Sequence, residues 1–234
     1  MSVTQLRQEL RKLANNKRAK ASVWFFKTGK GQYGYGDKFI GVSVPQQRQI
    51  ARKFNHLTFS DIKKLLQSPI HEERLIALLI LVDQFKLAND KYRKQIYTFY
   101  LKNTSRVNNW DLVDLSASNI VGIYLVDKPK DVLYRMAKSK ILWERRIAII
   151  STLAFIQKGI YYETFKIAEI LISDKEDLVH KAVGWMLREI GKRDLDVLED
   201  FLKKHHKEMP RTMLRYAIEK FPEEKTKKYL DGKI

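Results

Sequence analysis

Apolar residues return every three or four positions along most of the chain, the spacing of one helix face, and no run alternates as a half-buried strand would. The pattern predicts helices near 3–15, 17–27, 45–54, 59–67, 70–86, 89–102, 108–125, 129–138, 142–158, 161–173, 176–191, 195–206, 210–221 and 223–230. Pro45, Pro69, Pro129, Pro210 and Pro222 each precede an amphipathic stretch, where a missing N–H costs nothing. Capping boxes are expected at Thr58 with Asp61 and at Ser173 with Glu176. In the segment after Ser173, Val179, Ala182, Val183, Met186 and Ile190 form one stripe. Lys181, Trp185 and Arg188 form a second stripe on another face, at spacings of four and three. Paired in order, the helices make about five hairpins after an N-terminal section. No linker interrupts them, so residues 1–234 are assigned to one domain.

A longer period overlies this pattern. Leu75, Trp110, Arg146 and Lys181 follow one another at 35 or 36 residues, each early in an apolar helical segment. Such a period belongs to stacked helical hairpins, each too small to bury its own face. The expected fold is therefore all-α, a curved α-solenoid of hairpin repeats with corresponding positions along one concave groove. Asp114, one turn after Trp110, occupies the place of Ile150 and Trp185 in the next two repeats.

Charge gives that groove a ligand. The 45 Lys and Arg against 27 Asp and Glu leave a net +18, spread along the whole chain, and nucleic acid leads the partners such a surface attracts. A surface kept basic for solubility is the bland alternative. Without cysteine there is no disulfide, thiolate nucleophile or thiolate metal site. The N-terminal segment is charged and amphipathic and lacks the apolar core of a signal peptide. The longest apolar run, Leu75 to Val82, is too short to span a bilayer. The expectation is a cytoplasmic monomer with no membrane contact.

Residues 28–44 break the helical pattern. Gly29, Gly31 and Gly34 have the spacing of a dinucleotide-binding turn, but a helix precedes them where that turn needs a strand, so the nucleotide reading is rejected. The loop is either a contact for DNA backbone or a long connection.

The candidate chemistry lies at the repeat positions. A carboxylate bordered by aromatic rings in a cationic groove can stabilise positive charge developing on a sugar and orient water to attack it. Asp114, Trp110 and Trp185 are the catalytic candidates; Arg146, Lys181 and Arg188 are candidates for phosphate contact. Read singly, Trp110 could be core, Arg146 a partner of Glu144, and Lys181 an ordinary surface lysine. Trp143, Trp24 and the Phe25–Phe26 pair are assigned to packing. His56, His71, His180, His205 and His206 show no metal-ligand spacing, and His205–His206 is read as a solvated face. No metal or cofactor motif is present.

NNWDLVD (108–114), WERRIAII (143–150), KAVGWMLRE (181–189) and FFKTGKGQYGYGDKFIGVSVPQQR (25–48) together resemble, in matching order, the HEAT-like-repeat DNA alkylpurine glycosylases, the AlkD-type family. The resemblance implies hydrolytic removal of positively charged N3- and N7-alkylated purines from double-stranded DNA, on a base left in the duplex and without a cofactor. It implies that Trp110, Asp114, Arg146 and Trp185 form the active groove. Phe25 falls about where an aromatic residue, often tyrosine, is expected, and Ala154 replaces a lysine. Two other readings compete: a non-catalytic reader of damaged or branched DNA on the same scaffold, and a helical scaffold for an acidic protein.

Overall fold

The stripe expected in the segment 176–191 is the buried one: Val179, Ala182, Val183, Met186 and Ile190 are all completely covered. The computed structural model describes residues 2–233. Its helices are α1 (Val3–Lys12), α2 (Asn16–Phe25), α3 (Val44–Lys53), α4 (Phe59–Leu66), α5 (His71–Leu87), α6 (Asp90–Lys102), α7 (Trp110–Ala117), α8 (Ile123–Leu125), α9 (Asp131–Ala137), α10 (Leu142–Ser151), α11 (Leu153–Ile156), α12 (Tyr162–Leu171), α13 (Asp177–Gly191), α14 (Leu195–His205), α15 (Arg211–Ala217) and α16 (Glu223–Leu230). Among the described residues there is no strand, only a single bridge between Lys38 and Ile70. No helix among them is long and apolar enough to cross a membrane.

The chain divides into two compact units, Met1–Ser116 and Ala117–Ile234. In the first, α5 is the central helix and packs against α3, α4 and α6. Every residue from His71 to Val82 is buried, including four ionisable side chains in succession, His71, Glu72, Glu73 and Arg74. In the second, α10 packs on α9, α12 and α13, and α13 packs on α12, α14 and α15. Gly184 permits the last contact, because a Cβ there would lie 2.5 Å from the Met213 carbonyl oxygen.

Two long helices of the sequence reading are interrupted. The segment 108–125 passes through a π-helical turn, Ser118–Gly122, where Gly122 comes so near α10 that a Cβ would sit 2.2 Å from the Ser151 carbonyl oxygen. The segment 142–158 breaks at Thr152. The Ser151 and Thr152 hydroxyls donate to the carbonyls of Ile147 (2.6 Å) and Ile149 (2.7 Å), a competition with the helix ladder that bends it.

Thr58 caps α4 as expected, accepting the Asp61 N–H. Ser173 does not cap α13. Asp174 organises that turn instead, accepting the Glu176 N–H (2.9 Å) and both forks of Arg145 (2.6 and 3.2 Å). His206, expected on a solvated face, is buried, with Nδ1 2.8 Å from the Leu202 carbonyl oxygen.

Candidate active site

Trp110 is the first residue of α7, whereas Leu75, Arg146 and Lys181 each follow the start of their helix by one turn. The helix begins late because residues 107–109 carry Asn109 into the interior. The Asn109 carbonyl accepts the Val113 N–H (3.1 Å), its side-chain oxygen accepts the Trp110 N–H (2.8 Å), and its amide donates to Asp37 (3.2 Å). The Trp110 ring is half-buried. It stacks on Phe26, with centroids 5.3 Å apart, and meets Phe25 edge-on at 5.8 Å. Phe26 packs as expected. Phe25 packs edge-on against Phe26 (5.1 Å) and Trp110 but stays 56% exposed, and Trp24, 82% exposed, does not pack as expected.

Asp114 is half-buried one turn beyond Trp110. Its charge adds to burial in pushing the Tyr100 phenol up, and the Tyr100 hydroxyl lies 2.9 Å from that of Ser116.

Beneath Trp110 lies a buried ionic cluster that the sequence reading missed. His71, 2% exposed, sits between two carboxylates, with Nδ1 2.9 Å from Asp37 and Nε2 2.7 Å from Asp111. Arg74 donates to the other oxygen of Asp37 at 2.6 Å. Burial alone would push the imidazole pKa down. Hydrogen bonds to Asp111 and Asp37 outweigh it, and the value is raised to about 9, so the ring is an imidazolium at neutral pH. Burial likewise favours a neutral Asp37, but His71 and Arg74 hold its carboxyl below the usual range. The cluster ties the glycine-rich loop, through Asp37, to the starts of α5 and α7. Phe26 lies over both His71 (5.0 Å) and Trp110, so the tryptophan is fixed through its backbone and through its ring. The loop is also anchored by the Ile40 and Gly41 N–H groups, which donate to Glu72. Gly41 has φ +80°, and a Cβ there would lie 2.1 Å from the Asn15 carbonyl oxygen, so only glycine fits.

The spacing of His71 and Arg74 puts both on one face of a helix. Their acidic partners come from positions 37 and 111, and no periodicity links those to 71. The one signal available was four consecutive ionisable residues immediately before the longest apolar run of the chain, Leu75 to Val82.

In the second unit, Lys181, Trp185 and Arg188 share the predicted half-buried face of α13. Each has a carboxylate neighbour. Lys181 pairs with Asp177 at 2.8 Å, the Trp185 indole N–H donates to Glu189 at 3.2 Å, and Arg188 pairs with Glu219. Burial tends to raise the Glu189 carboxyl, but Lys192, Trp185 and Arg188 hold it below its ordinary value. Arg146 is only 5% exposed and donates to the Leu178 carbonyl, joining α10 to α13. Trp143 is buried, as assigned. Ala154 is buried in α11.

The all-helical hairpin architecture is that of the HEAT-like-repeat proteins. Residues 6–221 match the model of the DNA alkylation repair enzyme family, and the chain belongs to that family. Comparison with curated proteins gives no match. Among solved structures, the chain is similar to a predicted DNA alkylation repair enzyme from Enterococcus faecalis. That structure is 14% identical, with 90% of this chain and 97% of that one covered and a TM-score of 0.70. A member of a family related to the HEAT-like repeat DNA glycosylases with affinity for branched DNA structures is 15% identical, covering 100% and 95%, at a TM-score of 0.64. AlkD2 from Streptococcus mutans is 19% identical, covering 94% and 97%, at 0.55. These likenesses establish the HEAT-like-repeat fold.

Proposed function

We propose that the chain is a DNA glycosylase that hydrolyses the N-glycosidic bond of cationic N3- or N7-alkylated purines in duplex DNA. The observation that carries this reading is a half-exposed carboxylate, Asp114, one turn from a tryptophan held rigid by the His71 cluster and the Phe26 stack. An alkylated purine already bears positive charge and leaves as a neutral base, so the protein need not supply a strong acid. The C1′–N bond breaks with its electron pair going to the purine, and water adds its oxygen to C1′ and loses a proton. Asp114 stabilises the cationic sugar and orients that water, and the face of Trp110 favours the cationic transition state; Trp185, in the second unit, is assigned to the same chemistry by the repeat register alone. Arg146, Lys181 and Arg188 are assigned to the phosphates of the same duplex. At Lys181 and Arg188 a phosphate would replace Asp177 and Glu219 as the partner, an exchange of like for like in charge. Because the base stays in the duplex, no deep pocket is required.

A non-catalytic reader of damaged or branched DNA is the second reading. It draws on the neighbour with affinity for branched DNA and on the carboxylates already paired with Lys181 and Arg188. Incubation with methylated duplex DNA separates the two. Release of free methylated purine is the expected result, and tight binding without release would replace the glycosylase by the reader.

A further inference from the structure

From Leu10 to Gly36 the chain carries Arg11, Lys12, Lys17, Arg18, Lys20, Lys27 and Lys30 and no carboxylate. All seven cations are exposed, and none is ion-paired among the described residues. The same segment exposes three aromatic rings, Trp24, Phe25 and Tyr35. Behind Trp24 opens a cavity of about 440 Å³, at the small end of ligand pockets, which run to roughly 300–1,000 Å³. Trp24, Phe25, Phe26 and Phe39 wall it, Arg18 stands at its edge, and Gln47 lines it. Gln47 is buried and donates its amide to the Val42 carbonyl (2.8 Å), while its side-chain oxygen has no hydrogen-bond partner.

We propose that this cavity takes one unpaired nucleobase of a DNA strand, stacked on Trp24, with the flanking phosphates running along the cations of residues 11–30. Aromatic walls suit a planar ring, because every base has a π face. Unpaired cations beside them call for a polyanion, and together they select a nucleic-acid strand over an isolated heterocycle. An intact duplex offers no free base face, so the preferred ligand is a bulge, gap or frayed end. A lipid surface fits less well, since Val23, Trp24 and Phe25 are consecutive and do not form the broad apolar stripe of an interfacial helix. The inference rests on the DNA-binding half of the proposed function and not on Asp114.

The test uses the full chain and two labelled duplexes, one intact and one with a single bulged 2-aminopurine. The bulged duplex should bind more tightly, and its 2-aminopurine fluorescence should be quenched on binding. Trp24→Ala should weaken the bulged complex by about tenfold, within the roughly 1–3 kcal/mol of one base–aromatic stack, and abolish the quench. Trp24→Phe should keep both. Since Trp24 is a surface residue, Trp24→Ala should remain folded, which circular dichroism verifies. Equal affinity for the two duplexes, or a quench that survives Trp24→Ala, would overturn the proposal. So would binding to phosphatidylserine vesicles that depends on Trp24 without any preference for the bulge. Asp114→Asn should retain the bulge preference, so loss of base release and loss of this site are separate results.

Discussion

Raising the pH from 6.5 to 9.5 should destabilise the first unit through a single group, His71. Its imidazole pKa is about 9 in the folded chain, against an ordinary 6.5. Between those values the unfolded chain has lost the proton that the folded chain still holds, so unfolding releases protons and stability falls as pH rises. The contribution is complete below 6.5 and is lost through about pH 9. At about 1.36 kcal/mol per pH unit the difference is worth about 3 kcal/mol, a large part of the roughly 5–15 kcal/mol that stabilises a typical domain. Urea unfolding followed by circular dichroism across this range measures it. His71→Gln keeps hydrogen-bonding groups but cannot carry the proton. It should start destabilised by roughly 3–5 kcal/mol, the usual cost of breaking a buried ion pair, and should lose the pH-dependent decline. A wild-type stability that stays level from 6.5 to 9, or an equal decline in His71→Gln, would refute the assignment of a buried imidazolium.

The other predictions concern the second unit. Gly184→Ala should cost about 1–3 kcal/mol of stability, because its Cβ meets the Met213 carbonyl and α13 must move off α15; an unchanged urea midpoint would contradict that close approach. Arg146→Ala should lower stability, because the Leu178 carbonyl loses its donor, and should also reduce the salt dependence of DNA binding by about one charge if the guanidinium reaches phosphate. A lowered stability with an unchanged salt slope would make Arg146 a structural tie alone. Trp185→Ala should reduce base release more than it reduces the unfolding free energy; the reverse ranking would make the half-buried ring a packing group.

Periodicity made most of the helices legible, because burial of an apolar stripe is a local property of sequence. The stripe of α13 and the separate Lys181–Trp185–Arg188 face were both readable at helical spacing. Breaks in the helices were not. They depend on Gly122 meeting Ser151 and on hydroxyls turning back at Thr152, which the apolar pattern does not encode. Trp24 reads in the sequence as a packing group, yet whether a tryptophan is buried depends on what packs against its face of the helix, and its ring is 82% exposed. The Trp110–Asp114 turn was legible from the repeat, while its support was not. Asp37, His71 and Asp111 are joined only by folding, and a buried histidine between distant aspartates leaves no spacing to detect.

In the proposed reaction the Asp114 carboxylate lowers the barrier to glycosidic cleavage without serving to grip DNA. Single-turnover release of methylated purine from duplex DNA by Asp114→Asn, measured beside its affinity for the same duplex, tests it most directly. The release rate should fall by at least about a hundredfold, the scale of a lost electrostatic contact to a transition state, with affinity held within a few-fold. Release at the wild-type rate, or a loss of release that merely follows a loss of binding, would contradict it.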